Sequence, residues 1–151
     1  MRVGIIGCSK TKLDRPAPAR EIYCSRTFRA AAAWMDKRMP WVILSAKYGV
    51  VDPDTVIEPY DLRLDALAPT ERQAWVDRCR DELMRRYDRD TIFTTILGAA
   101  YMAPLQSFPY VESYIRALRV CRENHGMRGR AAAVSIGVLY KALAAGQELG
   151  A

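Results

Sequence analysis

The chain has 151 residues, half of them hydrophobic, with 23 Lys and Arg against 17 Asp and Glu for a formal net charge of +6. That length suits one ordinary domain with a real core, and no apolar run approaches the roughly eighteen residues that cross a bilayer. Four scattered cysteines and a single histidine argue against a zinc site, which needs clustered ligands. No metal or cofactor is expected, and Met1–Gly7 reads as a strand and not as a secretion signal, which points to reduced thiols in the cytoplasm.

Arg2–Gly7 is a short, β-branched, apolar run ending on glycine, the pattern of a first strand. Residues 8–24 follow as a long polar stretch with Pro16 and Pro18, and so long a loop inside a compact domain tends to be functional or disordered. Ser25 is placed to cap a helix over Arg26–Arg38, with Phe28, Ala31, Ala32 and Met35 on its apolar face. Pro40 ends that helix, and Trp41–Ser45 is a second strand. The segment Ala46–Pro69 has little periodicity and reads as a loop. Thr70 with Gln73 matches a capping box and opens a helix to about Tyr87. Its residues Trp75, Val76, Cys79, Leu83 and Met84 recur at helical spacing and should face inward. Thr91–Leu97 is a third strand ending at Gly98, followed by a short helix over Tyr101–Ser107. Farther on, Tyr114–Cys121 reads as a strand or a helix end, 124–130 as a loop and Val134–Ala144 as a helix.

This alternation predicts one α/β domain over residues 1–151, a three-layer α/β/α sandwich on a mostly parallel, Rossmann-like sheet. Ligands of such sheets bind beyond the carboxyl ends of the strands. The rule brings the loops after Gly7, Ser45 and Gly98 together.

Four constellations could carry chemistry there. In Gly7-Cys8-Ser9-Lys10-Thr11-Lys12 the glycine lets the chain turn where the strand stops, leaving amides and the Lys10 and Lys12 ammoniums to hold an anion. It is neither a Walker A loop nor a dinucleotide fingerprint. Cys8 beside two cations suits a nucleophilic thiol; the rival reading is a small buried hydrophobe. Tyr23-Cys24-Ser25 leads into the helix, whose amino terminus could take a phosphate, or Ser25 only caps it. Ser45-Ala46-Lys47-Tyr48-Gly49, continuing to Glu58-Pro59-Tyr60-Asp61, gathers acid, base and aromatic groups in a loop. Lys47, Glu58 and Asp61 are the acid/base candidates there, and Tyr48 or Tyr60 could stack a base. Alternatively this segment is a turn-rich loop whose carboxylates cap amides. Gly98-Ala99-Ala100-Tyr101 is placed to line the far wall. His125, alone in a basic loop, reads as a solvated residue.

Taken together, these motifs resemble an uncharacterised bacterial and phage domain family. Its members open with G-C-[SG]-K-x-K and continue with Y-x-S-x-x-F, L-S-A-K-[YH]-G-[LV], E-P-Y-D and G-A-x-Y-x-x-P-L. Here the counterparts are Gly7–Lys12, Tyr23–Phe28, Leu44–Val50, Glu58–Asp61 and Gly98–Leu105. The L-S-x-x-Y-G-[LV] segment followed by Pro59-Tyr60 is also similar to the peroxide-stress YaaA family, whose members are associated with DNA binding. The spacing from Cys8 to Lys12 more distantly resembles archaeosine synthase, although Leu13-Asp14 stand where its Pro-Tyr would follow. Near the carboxyl end, Ser135–Leu139 only approximates the glycine-rich ending of the first family.

Of the 23 basic residues 18 are arginine, which pairs phosphate bidentately; the rival reading is an Arg-biased sequence whose charges, interleaved with Asp and Glu, simply face water. The expected function is an enzyme acting on a nucleobase, nucleotide or modified nucleic acid, at the base or its glycosidic bond. Cys8, Lys47, Glu58 and Asp61 would be catalytic. Ser9, Lys10, Lys12, Tyr23, Ser25, Ser45, Tyr48, Gly98 and Tyr101 would bind substrate or phosphate. Two rivals stand beside it: a non-catalytic DNA-binding protein of the stress type, and a tailoring enzyme for a small metabolite. The expected partner is a nucleotide, nucleoside or nucleic acid, with no membrane; a homo-oligomer is left open.

Overall fold

The first strand, β1 (Arg2–Gly7), is apolar on both faces because it is covered on both. It is the middle strand of a five-stranded sheet in the computed structural model, which describes residues 1–113; the order across the sheet is β4 (Gly49–Val51), β3 (Trp41–Ser45), β1, β6 (Ile92–Ile96), β7 (Val111–Ser113). β3 and β6 flank β1, both parallel to it, with Gly7 opposite Leu44 and Ile6 opposite Ile96. β7 extends the sheet in parallel, and β4 folds back antiparallel on β3. The sheet is therefore mixed and mostly parallel, and with its helices the fold is α/β.

Side-chain alternation along β1, β3 and β6 divides the core into two apolar clusters. Ile6, Trp41, Ile43 and Ile96 join Phe28, Ala31, Ala32 and Met35 of α2 (Arg26–Asp36). Val3, Ile5, Val42, Leu44, Phe93 and Leu97 join Trp75, Cys79 and Leu83 of α3 (Pro69–Arg86). Ser25 caps α2 as expected, accepting a hydrogen bond from the Phe28 amide at 3.1 Å.

Several expectations are corrected. The Thr70–Gln73 box does not cap α3: Ala68 is the capping position and Pro69 opens the helix, its fixed φ suiting the first helical residue. Met84 of α3 is exposed. The segment 46–69 contains a hairpin, because Gly49 takes a φ of +73° that lets β3 reverse into β4. Farther along, β5 (Val56–Ile57) pairs with β2 (Ala17–Pro18), which leads directly into α1 (Ala19–Ile22). The Arg20 guanidinium bonds both Asp36 oxygens and Asp54, while Trp41 Nε1 donates to Asp36 at 2.8 Å. That network pins the ribbon to the end of α2. The helix expected over Tyr101–Ser107 is two single 3₁₀ turns, Ala99–Tyr101 and Ala103–Leu105, since Pro104 lacks the amide a continuous helix needs there. The readings of Tyr114–Cys121, 124–130 with His125, and Val134–Ala144 lie outside the described residues. No helix among the described residues is long and apolar enough to cross a membrane.

α2 approaches β1 closely at Gly4. A methyl group there would overlap Met35 Sδ and stand 3.0 Å from Trp41 Cβ. Gly4→Ala should therefore cost about 1–3 kcal/mol of stability through overpacking. Denaturant unfolding of the two proteins checks this, and equal midpoints would contradict it.

Candidate functional site

Where β1 and β6 end, a crevice of about 530 Å³ opens. Its walls are Cys8–Lys10 and Lys12 after β1, Gly98–Tyr101 after β6, and Asp61–Asp65 from the segment before α3. The chain crosses from β1 to β3 on one side and returns to β6 on the other. β1 is thus the point where strand order reverses, the usual seat of a ligand in such sheets.

Cys8 continues the β1 ladder by one residue, its amide donating to Leu44 O at 3.0 Å. Its half-buried side chain touches both apolar clusters, and Sγ lies 3.3 Å from the Tyr101 hydroxyl. Tyr101 is held in turn by an edge contact with the buried Trp75 ring, 5.5 Å between centroids. Trp75 is fixed by its Nε1 donating to Ser45 O at 2.9 Å. An α3 side chain thereby sets the position of the group facing the thiol. Burial pushes the Tyr101 hydroxyl above its ordinary range, and the neighbouring Cys8 adds to the rise.

The loop after Cys8 is stapled and not irregular. Ser9 Oγ donates to Thr11 O at 3.1 Å. Lys12 pairs with Tyr23 in an antiparallel bridge, flanked by Leu13 N to Ile22 O at 2.9 Å and Cys24 N to Thr11 O at 3.1 Å. This places the Lys12 ammonium 4.4 Å from the Tyr60 ring centroid, donating to Lys10 O at 3.3 Å. A cation over a ring face is stabilised by the ring's quadrupole. Partial burial nevertheless pushes the Lys12 pKa down, with Cys8 and Asp61 pulling the other way. The wall opposite is braced by a two-bond Arg63–Asp65 pair and by Arg72 Nη2, which donates to Asp65 O at 3.2 Å.

Under this loop lies a buried chain of hydroxyls. Tyr60 is hydrogen-bonded to both Tyr23 and Ser45 at 2.7 Å, and Ser45 Oγ accepts from the Tyr48 amide at 3.0 Å and the Lys47 amide at 3.3 Å. Burial pushes the Tyr23 hydroxyl up to about 12 and raises that of Tyr60.

Of the residues expected at the site, the crevice gathers Cys8, Ser9, Lys10, Lys12, Asp61, Gly98 and Tyr101. Tyr23 and Ser45 form its underlying support, both fully buried, so Tyr23 offers no face to a base. Ser25 is engaged by the Phe28 amide and Thr27 Oγ1. Lys47, Tyr48 and Glu58 are not on the crevice wall. The hairpin turn at Gly49 carries Lys47 and Tyr48 toward β5, where Tyr48 Oη donates to Glu58 O at 3.3 Å and Lys47 sits 5.3 Å from the Tyr48 ring centroid. Tyr60, weighed as a stacking ring, instead supports Lys12. Arg63 and Asp65 were missed; their nearness to the Glu58–Asp61 motif was the available signal.

Residues 3–127 match the model of a family of unknown function (DUF6884), and the chain belongs to that family. No curated protein and no solved structure matches it.

The hydroxyl chain makes stability sensitive to alkali. Tyr23 ionises near 10 when unfolded and near 12 when folded. Its contribution is complete below the lower value and is lost as pH rises through the upper one. Denaturant unfolding should accordingly show stability falling between about pH 10 and 12, with a shallower fall in Tyr23→Phe. Identical pH profiles for the two proteins would contradict this.

Proposed function

We propose that this member of the DUF6884 family is an enzyme acting on a nucleobase, nucleotide or modified nucleic acid, at the base or its glycosidic bond. The observation that carries the reading is the convergence of a thiol, a phenol, an ammonium and a carboxylate on one crevice. Cys8, Tyr101, Lys12 and Asp61 all line it, and the Cys8 thiol is already hydrogen-bonded to Tyr101. We read the two helix-backed apolar clusters as the layers of an α/β/α sandwich of Rossmann type, whose strand ends favour anionic ligands. The similarity of Leu44–Val50 and Pro59-Tyr60 to the YaaA family, and of Cys8 and Lys12 to archaeosine synthase, agrees with a base-bearing ligand. A cytoplasmic location fits such a substrate.

In this reading Cys8 is the nucleophile or the thiol contacting the base, and Tyr101 orients it. Lys10 and Lys12 hold phosphate, a role for which a point charge suffices, and Asp61 serves as acid/base or accepts from a ring N–H. Lys47 and Glu58, off the wall, take no part.

A thermal-shift panel of bases, nucleosides and nucleotides tests this. A ligand at a hundredfold excess over its Kd stabilises by about 2.7 kcal/mol, a Tm rise of several degrees. At least one member should produce that rise, and Cys8→Ser and Lys12→Gln should each diminish it. A panel without hits, or hits indifferent to both substitutions, would overturn the reading.

A further inference from the structure

We infer that the crevice receives its base as part of a single strand of nucleic acid, whose phosphates run over a cationic rim formed by Lys10, Arg26 and Arg29. This rests on the reading just given and adds the polymer to it. α2 begins beside the crevice loop, because Lys12 pairs with Tyr23 and the Cys24 amide donates to Thr11 O. Arg26 and Arg29 lie one turn apart at that end of the helix, both exposed, while Phe28, Ala31 and Met35 of the same helix are buried. Lys10, also exposed, stands on the crevice wall itself.

Among the described residues, none of Lys10, Arg26 and Arg29 takes part in an ion pair. Toward the opposite end of the sheet the arginines Arg2, Arg20, Arg85 and Arg86 each face a carboxylate, as Arg63 does on the crevice wall, while Lys37, Arg38 and Arg89 take part in no ion pair among the described residues. An unpaired exposed cation keeps its charge for an incoming polyanion, whereas a paired one has already given up most of it.

A crevice of about 530 Å³ accommodates one nucleotide, so flanking nucleotides of a polymer lie outside it, on the rim. Cys8 is half-buried, and a base held in a duplex stack does not reach such a group. Single-stranded nucleic acid meets both conditions.

Fluorescence anisotropy with a short labelled single-stranded oligonucleotide tests the inference, alongside the best mononucleotide of the panel. The strand should bind at least roughly tenfold tighter than the mononucleotide at low salt, with log affinity falling linearly with log salt. Arg26→Ala/Arg29→Ala should weaken strand binding by roughly tenfold and reduce the slope by about 1.4, or about 0.7 per lost phosphate contact. Both arginines are exposed, and circular dichroism verifies that the variant is folded. Arg89→Ala, three residues past the end of α3, should match the unaltered protein. A strand that binds no tighter than the mononucleotide, a preference for duplex, or a salt slope indifferent to the double substitution would overturn the inference. Strand binding that depends on the two arginines, with no base, nucleoside or nucleotide bound, would sink the crevice reading while upholding the rim.

Discussion

The constraint on which the rest depends is the pairing of β1 on both edges with parallel neighbours. Parallel neighbours need crossover connections, so α2 and α3 must each return the chain to the amino end, and both faces of β1 must be apolar. The loops after β1, β3 and β6 then emerge on one side. Cys8, the first residue past the strand, still donates its amide to β3 while its side chain touches both apolar clusters. The backbone of the candidate nucleophile is thus held by the ladder, and its thiol sits at the junction of the two halves of the core.

Around that point the protein sets charge on an aromatic and hydroxyl foundation. Lys12 is partly withdrawn from water, which disfavours its charge, and is compensated by the Tyr60 ring and by the Cys8 and Asp61 groups. Tyr60 is held in its position by its partly buried hydroxyl, which bonds both Tyr23 and Ser45. An unsatisfied hydroxyl there would cost about 1–3 kcal/mol. Ser45 in turn holds the two amides of the hairpin turn. The second strand end therefore serves the site from below and contributes no wall.

This explains what the sequence disclosed and what it withheld. β1, β3 and the start of α2 were legible to the residue, because buried parallel strands are continuous apolar runs and Ser25 precedes an apolar helical face. The ribbon of β2 with β5 was not, since each strand is two residues long and its partner lies far along the chain. Pairing at that distance leaves no local period. The crevice loops after Gly7 and Gly98 were found from glycines at strand ends, and Asp61 from its motif. Lys47, Tyr48 and Glu58 lie off the crevice wall, although residues near a strand end in sequence are expected near the crevice in space. Gly49, through its positive φ, turns that loop away.

If the protein is the enzyme proposed, a base-bearing ligand sits between the loops after β1 and β6. The direct measurement is an amide chemical-shift titration with AMP and GMP. The largest perturbations should fall at Cys8–Lys12 and Gly98–Tyr101, with smaller ones along Asp61–Asp65. Perturbations confined to the smaller cavity of Met84, Tyr87, Arg89, Ser107 and Phe108, or none at all, would contradict it.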